Sequence, residues 1–173
     1  CHYCDYKQEV TGVCPACGLS ALRPLGFGTQ KVESEVAALF PEARIGRLDM
    51  DSSRKTGHQK GLLHDMQTRQ IDILIGTQMV AKGLDYPGVS LVGIVDADVT
   101  LNLPDFRAYE RTLQLVVQAS GRAGRGQEPG EVLIQTYNPE NVVIQQAALQ
   151  DYEGFYQAEI ESRRILQYPP FTS

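Results

Sequence analysis

The sequence predicts an α/β protein with a mostly parallel sheet covered by helices on both faces, plus a small cysteine-rich appendage. Short apolar runs alternate with segments of helical periodicity along most of the chain, as they do in β-α-β units. All four cysteines fall in the first 17 residues, outside this alternation. A chain of 173 residues that is 42% hydrophobic is long enough to bury one core of this kind.

The appendage is predicted from the cysteine spacing, Cys1-x2-Cys4-x9-Cys14-x2-Cys17. Two C-x2-C knuckles present four thiolates to a tetrahedral Zn²⁺ ion. The alternatives are two disulfides or free thiols. No secretory leader opens the chain, which disfavours disulfides, and the clustering of every cysteine disfavours incidental thiols. We therefore expect zinc at these four residues.

The first helix is predicted after a short extended exit at residues 21–27. Thr29 is a plausible N-cap, and Pro41 ends the helix. Its apolar stripe consists of Val32, Val36, Leu39 and Phe40.

The rest of the chain alternates between strands and helices. Strands are predicted at residues 43–49, 71–75, 91–95 and 132–135. Helices are predicted at residues 59–68, 110–120, 142–149 and 151–167. Such alternation indicates a parallel sheet, in which functional residues gather at the carboxyl ends of the strands.

Composition restricts the function classes. The net charge is −5, which argues against a generally basic DNA-coating protein but leaves room for a narrow cationic track. No apolar run approaches the roughly 18–20 residues of a membrane span. With no leader sequence either, we expect a cytoplasmic protein without membrane contact.

Polar side chains follow predicted strands or open helices in two stretches. Gly28-Thr29-Gln30 opens the first helix, and Thr77-Gln78 follows the strand at residues 71–75. A hydroxyl, an amide and main-chain N–H groups there can take a phosphate. Alone, Gly76-Thr77 is better interpreted as an ordinary strand-to-helix cap. Asp85 can bond ribose hydroxyls or merely cap its turn.

The third stretch is V-Q-A-S-G-R-A-G-R-G at residues 117–126, with Arg122 and Arg125 three residues apart and Gln118 upstream. This spacing places both guanidiniums on neighbouring positions of a helical turn. Gly121 and Gly124 let another surface approach. Two planar, permanently charged forks suit a polyphosphate. The alternative is a surface turn in which the arginines pair with carboxylates. Asp96 and Asp98 are either metal ligands or loop caps.

Three runs together carry a specific resemblance: I-L-I-G-T-Q-M-V-A-K-G-L-D-Y-P, D-A-D-V-T-L-N-L-P-D-F-R-A-Y-E-R and Q-A-S-G-R-A-G-R-G. With the cysteine knuckles and Y-P-P-F, the chain resembles the second helicase lobe of the primosomal protein N′ family. These are bacterial replication-restart helicases of superfamily two. The resemblance implies a RecA-like fold and 3′→5′ DNA unwinding driven by ATP, with Mg²⁺, bound between two lobes. It also implies single-stranded and forked DNA, primosome proteins and single-strand-binding proteins as partners.

The resemblance also implies residue roles. Arg122 and Arg125 match the arginine fingers that reach the γ-phosphate. The nucleotide-binding positions are Gly83, Asp85, Gln118, Arg122 and Arg125. The DNA-backbone positions are Gly28, Thr29, Gln30, Thr77 and Gln78. In the family, eight cysteines form two interleaved zinc sites, with Cys1 and Cys4 on one and Cys14 and Cys17 on the other.

Some parts of such a helicase are missing from these 173 residues. No G-x-x-x-x-G-K-[ST] phosphate cradle and no D-E-x-H-type strand end occurs. We therefore expect three regions: a partial zinc module at 1–20, a RecA-like lobe at 21–150 and a helical exit toward a following domain at 151–173. The lobe is expected to need a first lobe for activity. A zinc-dependent DNA- or partner-binding module without motor role, and an α/β enzyme for a phosphorylated small molecule, stay as alternatives.

Overall fold

The structure is a computed structural model that describes residues 12–14, 16–20, 28–49, 58–81, 88–124 and 130–172. Within these ranges, seven helices and four strands alternate along the chain. The helices are α1 Thr29–Leu39, α2 His58–Gln67, α3 Gln78–Ala81, α4 Asp98–Leu101, α5 Ala108–Ser120, α6 Val142–Leu149 and α7 Tyr152–Ile165. The strands are β1 Ile45–Leu48, β2 Ile73–Gly76, β3 Leu91–Ile94 and β4 Glu131–Ile134.

The strands pair in parallel, as the sequence predicts. β1 pairs with β2 from Ile45↔Ile73 to Leu48↔Gly76. β3 pairs with β4 from Leu91↔Glu131 to Ile94↔Ile134. In the described part of the chain these pairs form two separate two-stranded sheets, whereas the sequence predicts one sheet. The fold class, α/β with parallel strands, is confirmed, and it fits a RecA-like lobe.

Helices cover both faces of the β1–β2 pair. The Arg47 guanidinium contacts Glu33 of α1, with Nε 2.9 Å from Oε2. On the neighbouring residue, a Cβ added to Gly46 would lie 3.0 Å from the Leu62 side chain of α2. Successive strand residues point to opposite faces, so α1 and α2 lie on opposite sides of this pair.

The main core lies between the β3–β4 pair and the helices that follow it. Leu113, Val116 and Ala119 recur along α5 at helical spacing and are buried, with Val116 fully enclosed. They pack in one cluster with Ile94 of β3, three buried residues of α6 and Phe155 of α7. The three α6 residues are Val143, Ile144 and Ala147. Because Phe155 belongs to this cluster, α7 is packed onto the same core as the helices before it.

Every strand predicted from residue 43 onward is present, as is every helix, with ends displaced by a residue or two. The predicted helix at residues 142–149 is found at these residues, and the Asn141 side chain caps its start by accepting a hydrogen bond from the Val143 amide at 2.9 Å. The four-residue helices α3 and α4 were not predicted, since neither is long enough to show a periodic pattern.

Two expectations about α1 are wrong in detail. Gly28 is the N-cap, and Thr29 is the first helical residue rather than the cap. The predicted apolar stripe is only partly covered, since Leu39 is 73% and Phe40 55% exposed. The physical reason is an open groove of about 340 Å³, lined by the Val32 and Val36 side of α1 and by residues of β3 and β4.

Candidate functional site: a strand-end edge and an arginine turn

The carboxyl ends of β1 and β2 form one edge of the proposed site. Because Leu48 pairs with Gly76, the residues that follow them, Asp49 and Thr77, emerge at the same edge. Thr77 and Gln78 are exposed in the turn from β2 into α3. The predicted DNA-contacting pair therefore lies at the carboxyl end of a parallel strand, where ligands of α/β proteins bind.

Gly76 permits this sharp strand-to-helix turn. A Cβ added there would lie 2.5 Å from the Leu48 carbonyl oxygen and would overlap the Val80 side chain. The Val80 amide in turn donates to the Thr77 carbonyl at 3.0 Å. A side chain at residue 76 would push β2 from β1 or displace α3, so glycine fixes the position of Thr77.

The second predicted DNA contact, Gly28-Thr29-Gln30, is fastened to the same edge. The Thr29 hydroxyl donates to Asp49 Oδ2 at 2.7 Å, linking the start of α1 to the end of β1. Gly28 and Gln30 are exposed, whereas Thr29 is half-buried. The structure thus brings residues 28–30 and residues 77–78 to one edge. The Thr29–Asp49 contact carried no sequence signal, because 20 residues separate the partners.

The arginine turn follows α5 directly. The helix ends at Ser120 with Gly121 as C-cap, and the Arg122 amide donates to the Ala119 carbonyl at 2.9 Å. Arg122 therefore lies on the turn after the helix and is half-buried there. Arg125 lies outside the described residues, so the predicted geometry of the two arginines stays a prediction.

Close approach in this turn involves Gly124 rather than Gly121. Gly124 has φ +75°, and its amide donates to the Val89 carbonyl at 3.0 Å. A Cβ added to Gly130, just before β4, would overlap the Gly124 amide and lie 2.6 Å from the Ala123 Cβ. A Cβ at Gly121 would make only ordinary contacts, 3.5 Å from the nearest atom. The turn is thus held against the segments that begin β3 and β4.

The two parts of the proposed site are connected through a pair of helices. Helix α3, which follows Thr77, contacts α5, the helix that carries half-buried Gln118 near its end. Three predicted residues, Gly83, Asp85 and Arg125, fall outside the described ranges. The nucleotide-binding roles of Gln118, Arg122 and these three residues stay predictions.

The second cysteine knuckle, from Cys14 to Cys17, forms a hydrogen-bonded turn. The Cys14 amide donates to the Leu19 carbonyl at 2.9 Å, and Gly18, at φ +72°, donates to the Cys14 carbonyl at 2.8 Å. Hydrogen bonds from the Cys17 and Ala16 amides and from the Cys17 side chain lower the pKa of the Cys14 thiol. Cys1 and Cys4 lie outside the described residues. Among the residues that are described, no group of three or more His, Cys, Asp and Glu could hold a metal.

Of the two interpretations of Asp96 and Asp98, the loop cap fits Asp98. Its carboxylate accepts hydrogen bonds from the Thr136 hydroxyl at 3.1 Å and from the Tyr137 amide at 2.9 Å. The Asp96 amide donates to Gln135 Oε1 at 3.1 Å, with φ +53° at Asp96. Both aspartates line a small cavity of about 180 Å³ at the ends of β3 and β4.

None of the helices in the described ranges is both long and apolar enough to cross a membrane.

Comparison with known proteins identifies the family of this chain. The helicase conserved C-terminal domain family matches residues 26–127, which include both parts of the proposed site. The chain is 48% identical over 171 residues to replication restart protein PriA of Bacillus subtilis and 46% identical to that of Synechocystis. It is 45% identical to that of Chlamydia trachomatis.

These matches cover 99% of this chain but only 21% of the first two relatives and 23% of the third, so the chain spans about a fifth of their length. The resemblance stated from the sequence is confirmed. The chain belongs to the helicase conserved C-terminal domain family.

Proposed function

We propose that this chain is the second motor lobe of an ATP-dependent 3′→5′ DNA helicase that acts in replication restart and primosome assembly in the cytoplasm. Family membership and the names of the relatives support a helicase of this type. The observation that carries the proposal is that residues 28–30 and 77–78 lie at one strand-end edge. Helix α3, which follows Thr77, also contacts α5, the helix that leads into the arginine turn. One lobe thus presents both a DNA edge and a nucleotide edge.

The nucleotide edge consists of Arg122 and Arg125 as catalytic arginines, with Gly83, Asp85 and Gln118 beside the nucleotide. Permanently charged guanidiniums stabilise charge on the γ-phosphate oxygens without a proton transfer. Because the phosphate cradle is absent from this sequence, ATP and Mg²⁺ would be held mainly by a first lobe and reached by these arginines when the lobes close.

The DNA edge consists of Gly28, Thr29, Gln30, Thr77 and Gln78. Main-chain amides and short polar side chains bind phosphates without reading sequence. This suits a chain whose net charge of −5 argues against a generally basic DNA-coating protein. The DNA partner would be a single strand at a fork, with primosome and single-strand-binding proteins as further partners of the whole helicase.

Zn²⁺ is proposed for Cys1, Cys4, Cys14 and Cys17. The described knuckle fits a thiolate ligand, since main-chain amides around Cys14 favour the ionised sulfur and lower its pKa. Zinc would fix the fold of the first 20 residues. The four thiolates either share one ion or belong to two interleaved sites.

Substitution of Arg125 in the whole helicase tests the motor assignment. Arg125→Ala should lower DNA-stimulated ATP turnover by roughly 10³–10⁵-fold while DNA binding and thermal stability stay unchanged. Arg125→Lys should be nearly as damaging, because an ammonium keeps the charge but loses the two-pronged geometry. The matched control is Arg164→Ala on α7, whose side chain is 63% exposed and pairs only with Glu161 on the same helix. Near-normal turnover in Arg125→Ala would remove the motor assignment.

The geometry of the Cys14 knuckle favours one alternative, a zinc-dependent DNA- or partner-binding module without motor role. The two functions differ in what binds DNA. If the module is correct, serine substitutions of the cysteines should abolish single-strand binding, and addition of a separately made first lobe should change nothing. If the motor lobe is correct, DNA binding should strengthen when the first lobe and ATP are present.

A further inference from the structure

Asp49 is a buried carboxylate to which the proposed function assigns no role. It follows β1 and is only 7% exposed, one of two buried polar residues in the described part of the chain. Removing a carboxylate from water is costly unless hydrogen bonds and an opposite charge compensate. A residue kept there at such a cost has either a structural or a functional task.

Side chains from β1 and from α1 offset the cost of burying the Asp49 carboxylate. Arg47 Nη1 lies 2.8 Å from Asp49 Oδ2, and Arg47 Nε lies 2.9 Å from Glu33 of α1. The Thr29 hydroxyl also donates to Asp49 Oδ2, at 2.7 Å. Asp49 therefore holds the first turn of α1 to the end of β1, and Arg47 offsets its charge beside a surface proposed to receive phosphate.

We propose that Asp49 is a positioning residue for DNA: it orients Thr29 and the adjoining main chain of residues 28–30 toward the strand backbone. This inference rests on the proposed function. A hydroxyl has one hydrogen, and that of Thr29 is given to Asp49, so the side chain does not donate to a phosphate. On this proposal Thr29 holds α1 to β1, and the DNA backbone contacts the exposed main chain beside Thr29.

Thr29 could either hold α1 to β1 through Asp49 or bind a DNA phosphate directly. These two roles predict different results in a double-mutant cycle. If Thr29 and Asp49 act as one unit, either single substitution weakens DNA binding to the full extent, and the double substitution weakens it no further. If the Thr29 hydroxyl binds phosphate directly while Asp49 serves the fold, the two effects are independent and combine.

The experiment measures ATP hydrolysis by the whole helicase as a function of single-stranded oligothymidylate concentration. The variants are Thr29→Val, which keeps the shape, Thr29→Ser, which keeps the hydroxyl, Asp49→Ala and the Thr29→Val/Asp49→Ala double variant. The control is Asp72→Ala, which removes an exposed carboxylate bonded to Arg44 at the other end of the same strand pair. Thermal melting of each variant reports on folding.

Thr29→Val and Asp49→Ala should each raise the half-saturating DNA concentration by roughly twofold to tenfold, the effect of one hydrogen bond. The turnover at saturating DNA and the KM for ATP should not change. Thr29→Ser and Asp72→Ala should have the half-saturating DNA concentration of the parent. The double variant should have the same half-saturating DNA concentration as each single variant.

An unchanged half-saturating concentration in a folded Thr29→Val protein overturns the inference, as do effects that combine in the double variant. If Asp49→Ala fails to fold, Asp49→Val, which also removes the acceptor but leaves a smaller cavity, takes its place in the cycle, alone and combined with Thr29→Val. A parent helicase whose turnover does not respond to single-stranded DNA contradicts the proposed function itself, and the role of Asp49 with it.

Discussion

At the scale of single residues, two glycines determine how closely main-chain segments approach at the proposed site. Gly76 lies against the Leu48 carbonyl and Val80, and Gly130 lies against the arginine turn at Ala123 and Gly124. In both places the neighbour includes main-chain atoms, which cannot rotate away as a flexible side chain can. The shape of the site therefore depends on the absence of Cβ atoms as much as on its charged groups.

Gly76→Ala is expected to destabilise the fold by about 1–3 kcal/mol, because the added methyl group would overlap Val80 and press on the Leu48 carbonyl. The matched control is Gly93→Ala in β3, where nothing lies within 4 Å of the added Cβ. Chemical denaturation of both variants checks this. Equal stabilities for Gly76→Ala and Gly93→Ala would mean that α3 moves away from the strand end freely.

Residue-level chemistry was predictable only where it is local in the sequence. The cap at Asn141 acts within its own helix, and the helix predicted there has the correct ends. The Thr29–Asp49 bond joins residues on different elements, and neither residue type alone reveals a partner. For that reason Thr29 was expected to cap α1, whereas its hydroxyl fastens the helix to β1.

At the scale of elements, α5 leads into the arginine turn at its far end and carries Glu110 in its first turn. Phe106 lies just before the helix. Arg163 of α7 contacts both: Nη2 lies 2.9 Å from Glu110 Oε2, and the guanidinium lies 5.2 Å from the Phe106 ring centroid. The Arg163 side chain is only 14% exposed and also pairs with Glu159 at 2.8 Å. α7 is thereby fastened to the start of α5.

Arg163→Gln should lower the free energy of unfolding by about 1–2 kcal/mol, mainly because it leaves the 14% exposed Glu159 carboxylate without its cation; the loss at Glu110, which is 38% exposed, is partly screened by water. Arg164→Gln is the control from the next position, where the 63% exposed side chain pairs within α7 and contributes roughly 0–0.5 kcal/mol. Urea denaturation of the two variants measures the difference. If the two variants are equally stable, α7 is held by Phe155 packing alone.

The cysteine knuckles lead to a metal prediction at the same scale. The purified chain should carry at most one zinc ion, since it has only four thiols, and a chelator should raise hydrogen exchange in residues 1–20. The α5–α6 core should keep its protection because its buried side chains form a layer of their own. Elemental analysis and hydrogen exchange check both statements. Two zinc ions per chain, with every cysteine ligated, would show that the ligand assignment is wrong.

Sequence periodicity predicted the type of each long element well, but it did not predict how the strands divide into sheets. Apolar runs identify β1, β2, β3 and β4, since a buried strand needs apolar side chains whichever neighbour it has. Pairing depends instead on which strands become adjacent in space. The exposure of Leu39 and Phe40 at the end of α1 has the same cause. The apolar stripe of a helix does not specify which other element will pack against it.

At the scale of the whole molecule, the chain spans about a fifth of the length of its relatives. On the proposed function it supplies one side of a nucleotide site. In that role Arg122 and Arg125 would stabilise negative charge, but guanidiniums do not coordinate Mg²⁺ or act as a general base for water. Catalysis on this proposal is therefore a property of two lobes together.

This chain alone should not hydrolyse ATP, with or without single-stranded DNA. Phosphoryl transfer needs a phosphate cradle, a Mg²⁺ site and a positioned water, and this sequence contains no G-x-x-x-x-G-K-[ST] run for the first of these. Phosphate release from the purified chain is compared with release from the whole helicase at equal concentration. An Arg125→Ala version of the chain separates trace contamination from intrinsic turnover, because a contaminating enzyme is unaffected by that substitution. DNA-stimulated hydrolysis that the parent chain shows and the Arg125→Ala chain loses would mean that one lobe suffices, and the division of the active site between two lobes would be wrong.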